Sequence, residues 1–367
     1  MNMATEHMQH NPMWTLAVPA VGAAVLLLSW LVSGFPLMTL LLSLGLVGGV
    51  VAAVHHAEVI AHKVGEPFGT LVLALSVTII EVALIVSMML SGGDNAMGLA
   101  RDTIFAAVMI IVNGIIGASL LIGGLKHHTQ DYSLEGVTAS LGTMTVIVVM
   151  ALILPNYATS EAGTVYSTKQ LIFVALMTLV LFAAFTFFQT MRHRDYFLVV
   201  SKEGDVMYVD DIEPPSMKEV WTSFGMLLLS LVVVVLSAKS ISPTLEAFLG
   251  KMGAPLATLG IVIAAIVLMP EFGAAMRAAR ANRLQASLNL AIGSAIASIG
   301  LTIPVVALLS VFMGWPLELG LDTKSITLLT LSLFVVTISL RTGRTTILPG
   351  IVHLCIFVAY LFFSFVP

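Results

Sequence analysis

Two carboxylates stand where water is scarce. Glu81, in "SVTIIEVALI" (76–85), lies inside an apolar run from Thr70 to Leu90, and Glu271, in "VLMPEFGAAM", follows Pro270 directly. An acid at the centre of a spanning helix costs on the order of 2.5–3.5 kcal/mol on insertion scales, so it needs something to neutralise it. A proton and a cation can each do so. Burial favours the neutral acid and a bound cation favours the carboxylate, so the two compete for the same oxygens. That competition is the chemistry of ion-for-proton exchange. The competing reading is a structural acid held by hydrogen bonds.

Neutral oxygens occur at spacings that would complete such a site. Asn113 falls in the middle of an apolar stretch, "VMIIVNGIIGASLLIGG" (108–124). Ser294 and Ser298 share a helical face with Ser287 and Thr302 in "LNLAIGSAIASIGLTIP" (288–304) and just before it. Small residues also let helices approach closely, which is the packing explanation for the same pattern. Hard cations such as Ca²⁺ take six to eight oxygens, several of them carbonyl or water. Pro270 removes a backbone donor and kinks its helix, freeing a carbonyl near Val267 to face a cation. A third cluster is "HHAEVIAHKVGEP" (55–67), where His55, Glu58 and His62 fall on one helical face. Glu66, just before Pro67, reads first as a helix cap. Glu58 and His62, with Glu66 beyond them, are candidates for ion access or proton relay, because His titrates near physiological pH.

The elements that must position these groups follow from composition. The chain has 367 residues, 58% hydrophobic and 10% charged, against about 25% charged in soluble proteins. A surplus of this size calls for a bilayer as solvent. The net charge of −4 gives no basic signature for nucleic acid. The single cysteine, Cys355, excludes an internal disulfide. The start, "MNMATEHMQHNPMW", has no Lys or Arg, so the first apolar stretch is expected to be a retained helix.

Taking about 20 apolar residues per span, the pattern predicts an all-α polytopic protein with eleven spans: roughly 14–34, 37–55, 66–92, 102–125, 134–154, 168–190, 222–240, 254–276, 284–313, 323–340 and 345–366. With the N-terminus inside, eleven Lys and Arg fall on inner segments and five on outer ones. That favours a cytoplasmic N-terminus and an external C-terminus in a prokaryotic inner membrane.

The one sizeable polar piece, 191–221, divides the chain into a tail and first helix (1–36), a five-helix half (37–190), the linker itself and a second five-helix half (222–367). Two five-helix halves must enter the membrane in opposite senses, as in inverted-repeat transporters. "GEPFGTL" (65–71) and "GAPLATL" (253–259) share Gly, Pro, Thr and Leu at equal spacing, and each precedes a lone buried acid. The linker carries Glu203, Asp205, Asp210, Asp211, Glu213 and Glu219 against Lys202 and Lys218. It reads as a solvated loop or as a regulatory patch that gathers cations. His353 reads as a lipid-facing or packing residue.

Three stretches together resemble a known family: "HAEVIAHKVGEPFGTLVLALSVTIIEVALI", "RDTIFAAVMIIVNGIIG" and "PEFGAAMRAARANRLQASLNLAIGSAIASIGLTIPVV". They are similar to the ChaA-type calcium/proton antiporters of the CAX branch of the cation/calcium exchanger superfamily. The likeness runs from about residue 50 to the C-terminus. It implies a first helix outside two inverted five-helix repeats, essential acids at Glu81 and Glu271, an upstream acid at Glu58, and hydroxyl or amide ligands near Asn113 and Ser294. It also implies departures. Where typical members have Gly-Asn-x-x-Glu, this chain has Val77-Thr78 before Glu81 and Val267-Leu268 before Glu271, and Phe272 replaces a frequent His. The ChaA-type branch is associated with sodium/proton and potassium/proton exchange as well as calcium/proton exchange.

The expected activity is secondary antiport in which Ca²⁺ leaves the cytoplasm as protons enter, with Na⁺ or K⁺ as alternative cargo and no cofactor. The bilayer and the transported ions are the expected partners, and nothing in the pattern sets an oligomeric state. An intramembrane enzyme would need a nucleophile with a base, or a metal motif, and the sequence has neither His-Glu-x-x-His nor paired aspartates in its spans. A passive channel is disfavoured by the inverted repeat.

Overall fold

The computed structural model describes residues 11–31, 36–65, 68–92, 97–198, 214–255, 257–315 and 317–366. Helices dominate: α1 (Met13–Leu31), α2 (Pro36–Val64), α3 (Phe68–Gly92), α4 (Leu99–Met109), α5 (Ile116–His127), α6 (Leu134–Val148), α7 (Thr168–Phe187), α8 (Met217–Lys251), α9 (Ala257–Val267), α10 (Met269–Arg280), α11 (Leu284–Met313), α12 (Thr323–Ser339) and α13 (Ile347–Phe365). One short antiparallel pairing joins β1 (Gln130–Asp131) to β2 (Arg344–Thr345).

Among the described residues, nine helical stretches are long and apolar enough to cross a membrane, counting α4 to α5 as one. The pair α9 and α10, bent by 53°, makes a tenth. The predicted window 323–340 is α12, whose 17 residues extend only about 25 Å, short of a hydrocarbon core of about 30 Å.

Sequence dictates where these helices break. Pro270 cannot supply the N–H that would reach Ile266, and α9 gives way to α10 there, leaving Leu268 between them. No proline interrupts α3 around Glu81, and α3 runs on unbroken. Between α4 and α5 the backbone widens into a π-helical turn, Ile110–Ile115, which contains Asn113. Such turns hold one residue more than an α-helix and cluster at functional positions. Gly65 and Gly253, the openers of the two matching heptapeptides, both take positive φ (74° and 71°), a conformation that costs glycine little.

The chain forms two compact units. The first comprises α1, α2, α3 up to Ile80 and α8 up to Ile241; the second takes the remainder of α3 and α8 and the other helices. In the first, a β-carbon on Gly22 would come within 2.8 Å of Val233, and one on Gly49 within 2.9 Å of Val234. Buried His56 ties three helices there, with Nε2 3.0 Å from the Thr15 carbonyl and Nδ1 3.2 Å from Ser223 Oγ. In the second unit α4 packs on α9, α5 on α13, and α11 on α6, α7 and α10.

Close backbone approach is what several of these crossings require. A β-carbon on Gly260 of α9 would lie 2.8 Å from the Asp102 carbonyl carbon and the Thr103 nitrogen of α4, atoms that cannot rotate away. Gly260→Val should therefore abolish accumulation of folded protein. Gly142→Ala, where nothing lies within 4 Å, should keep or slightly raise stability, by roughly 0.4–1 kcal/mol. Detergent-solubilised yield and thermal unfolding of the two variants would check the contrast.

Candidate cation-binding site

Glu81 is only 4% exposed and belongs to the second unit. Its Oε2 accepts a short hydrogen bond from Ser298 Oγ of α11, itself buried. The pair spans 217 residues of sequence and joins one residue from each predicted half. The Ser298 hydroxyl has one proton to give, so the carboxyl is polarised at one oxygen while its other oxygen is left for a proton or an ion.

Glu271 is 7% exposed in the first turn of α10, just after the break. An acid at a helix N-terminus is favoured by the positive end of the helix dipole, while α9 ends with its carbonyls pointing into the same break. Carbonyl ends and a carboxylate at a discontinuous span are the ingredients of midplane cation sites. Thr78 stands one turn before Glu81 where an amide would be typical, and its hydroxyl bonds back to the Ala74 carbonyl at 2.9 Å.

The hydroxyl face of α11 has distinct fates. Ser287 donates to Ser119 Oγ of α5 at 2.8 Å, Ser298 to Glu81, and Ser294 is half-buried one turn before Ser298. Thr302 is fully buried, and its Oγ1 has no hydrogen-bond partner among the described residues.

Asn113 enters a network that the sequence did not announce. Ser332 of α12 donates its only hydroxyl proton to the Leu328 carbonyl at 2.7 Å, so it accepts from Asn113 Nδ2 at 2.8 Å. That fixes the amide orientation and turns Oδ1 toward His353 Nδ1, 3.1 Å away. The imidazole therefore carries its proton on Nδ1 and an acceptor lone pair on Nε2, which has no partner among the described residues. His353 is 0% exposed, which corrects the lipid-facing reading: it is an interior residue of α13. Asn113 Oδ1 then has one lone pair uncommitted. The signals in the sequence were a lone His and a lone Ser in apolar helices, at spacings that do not connect them.

Glu58 and His62 lie exposed on α2, in the first unit. Glu66 and the linker acids Glu203, Asp205, Asp210, Asp211 and Glu213 lie outside the described residues. Arg101 pairs with Asp102 at 2.8 Å and Glu318 at 3.2 Å and so ties the start of α4 to the loop before α12.

The description "Sodium/calcium exchanger protein" fits residues 34–191 and 222–366, both halves on either side of the linker. The chain belongs to the sodium/calcium exchanger family. This exchanger is 43% identical over 365 residues to a putative ionic transporter, y4hA, of Sinorhizobium fredii, covering 98% of this chain and 97% of that one. It is 36% identical over 329 residues to the sodium-potassium/proton antiporter ChaA of Escherichia coli, covering 88% and 87%. In three dimensions it resembles the Ca²⁺/H⁺ antiporter protein YfkE, with a TM-score of 0.71 at 15% identity over 97% of this chain and 99% of that one. The exchanger fold expected from the sequence is therefore shown. Members of this family move ions and perform no covalent chemistry.

A network in which each member satisfies the next is testable as a unit. Asn113→Leu and His353→Leu should each destabilise the protein, since each strands a buried polar partner at about 1–3 kcal/mol. The double variant should cost less than the sum by roughly 0.5–3 kcal/mol. Thermal or chemical unfolding of the four proteins in detergent measures the coupling.

Proposed function

We propose that the protein is a secondary-active cation/proton antiporter of a prokaryotic inner membrane, exporting Ca²⁺ from the cytoplasm as protons enter. The observation that carries this is the buried Glu81 carboxyl, hydrogen-bonded on one oxygen by Ser298. Glu271, at the bent α9–α10 junction, supplies a second acid from the opposite half. Glu81 and Glu271 alternate between protonated and cation-bound forms, with Ser298, Ser294 and the remaining Asn113 lone pair as neutral oxygen donors. Glu58, His62 and Glu66 serve ion access or proton relay, and the acidic linker regulates.

The domain reading is a tail and first helix (1–36), an inverted pair of five-helix repeats (37–190 and 222–367) and the linker (191–221), eleven spans in all. The N-terminus is inside and the C-terminus outside. The matched positive φ at Gly65 and Gly253, the first ahead of α3 with Glu81 and the second ahead of the bent α9–α10 pair with Glu271, supports the repeat.

A second reading, Na⁺/H⁺ or K⁺/H⁺ exchange, is favoured by two observations. The 36%-identical Escherichia coli relative bears that name. Thr78, which replaces the typical amide, has its hydroxyl turned to its own backbone; fewer free oxygens suit a monovalent ion with a smaller charge to stabilise.

Everted membrane vesicles containing acridine orange separate these readings when Ca²⁺, Na⁺ and K⁺ are titrated in turn. Ca²⁺-driven dequenching by the wild type is expected. Glu81→Gln should lower exchange to the background of vesicles lacking the protein while its level in the membrane is unchanged. Exchange by Glu81→Gln at the wild-type rate would overturn the assignment.

A further inference from the structure

Three turns meet at one end of the second unit and build a cationic surface that ion exchange does not use. The α5 end and β1 (126–131), the α10–α11 turn (280–283) and the α12–α13 turn (341–345) are far apart in sequence but are tied together at several points. β1 pairs with β2, so that Gln130 faces Thr345 and Asp131 faces Arg344. Gln130 Nε2 donates to the Ala279 carbonyl and to Asn282 Oδ1, both at 3.0 Å. Lys126 Nζ and His127 Nε2 both hold the Arg280 carbonyl at 3.0 Å. Arg344 Nη2 donates to Thr129 Oγ1 at 3.0 Å. The turns are therefore fixed relative to one another.

What they display is five exposed cations, Lys126, Arg280, Arg283, Arg341 and Arg344. The acids on these same segments and the adjoining start of α6 are Asp131, 3.6 Å from Arg344, and Glu135, which accepts from Ser133. Next to the cations the same helices expose large apolar side chains: Leu125 is 65% exposed and Leu348 64%. A leucine one residue before Lys126 and another four residues after Arg344 set exposed apolar side chains within a few residues of the cations. A soluble anion would use the charges and ignore the leucines. An anionic lipid uses both.

We propose that this surface is a binding site for the phosphate headgroups of anionic membrane phospholipids, with Arg280, Arg283, Arg341 and Arg344 as the phosphate-binding side chains. Guanidinium groups grip phosphate oxygens in pairs. Each cation near an anionic leaflet adds attraction that falls away within a Debye length. The site needs no assumption about which ion is exchanged.

The test reconstitutes the full chain in phosphatidylcholine discs, with and without fluorescent phosphatidylglycerol, and reads lipid binding by energy transfer from tryptophan. The wild type should bind phosphatidylglycerol in preference to phosphatidylcholine, less so at high salt. Arg280→Gln/Arg283→Gln/Arg341→Gln/Arg344→Gln should weaken that binding by about tenfold or more. Lys126 is left in place because it holds the Arg280 carbonyl. The same four positions changed to Lys should keep most of the binding, which separates lost charge from lost folding. Lys169→Gln/Lys251→Gln, elsewhere on the surface, should change nothing. Undiminished binding by the glutamine variant, an equal loss in the Lys169/Lys251 variant, or full displacement of the lipid by inorganic phosphate would each overturn the proposal.

Discussion

A hydrocarbon interior offers no hydrogen bonds, so every polar atom that enters it must bring its own partner. That single constraint orders this molecule. It forces the backbone into helices, and it makes the few buried acids and amides expensive enough to need a reason. Glu81 shows the constraint at its tightest. A hydroxyl from α11, more than 200 residues away, meets one carboxyl oxygen. The helices around it are arranged so that this meeting can occur.

The same constraint explains why the two acids are presented differently. Glu81 sits within a continuous helix and draws its partner from a neighbour. Glu271 sits at a helix start made by Pro270, where backbone carbonyls and a dipole end are already exposed to the break. One acid is met by a side chain from a distant helix, and the other stands in the first turn of a helix that begins at a break. The two buried acids thus have unequal surroundings.

Much of the fold was legible in the sequence because the bilayer imposes length and apolarity directly. The helix break at Pro270 follows from a backbone rule that is local, and the buried acids at 81 and 271 announce themselves by contrast with their neighbours. Ser298 was found for a similar reason: it lies on a hydroxyl face with helical spacing. What the sequence did not show depends on contacts between distant helices. Nothing local distinguishes Ser332 from a packing serine, or tells His353 on α13 that it will meet Asn113 on the π turn. The extent of α12 was legible nearly to the residue, because its apolar run ends just before the chain turns at Gly343, whose φ is 68°.

The π turn from Ile110 to Ile115 has a further consequence, for how such a protein can change over time. A π turn holds one residue beyond the α-helical count. Deleting a single residue from it would restore a regular helix and re-aim the residues within the turn, while the flanking helices keep the faces they now present. Asn113 would then face another neighbour, with no helix lost and no span shortened. The turn is therefore a place where one small deletion could re-aim a polar side chain inside the membrane, whereas a point substitution changes only its chemistry.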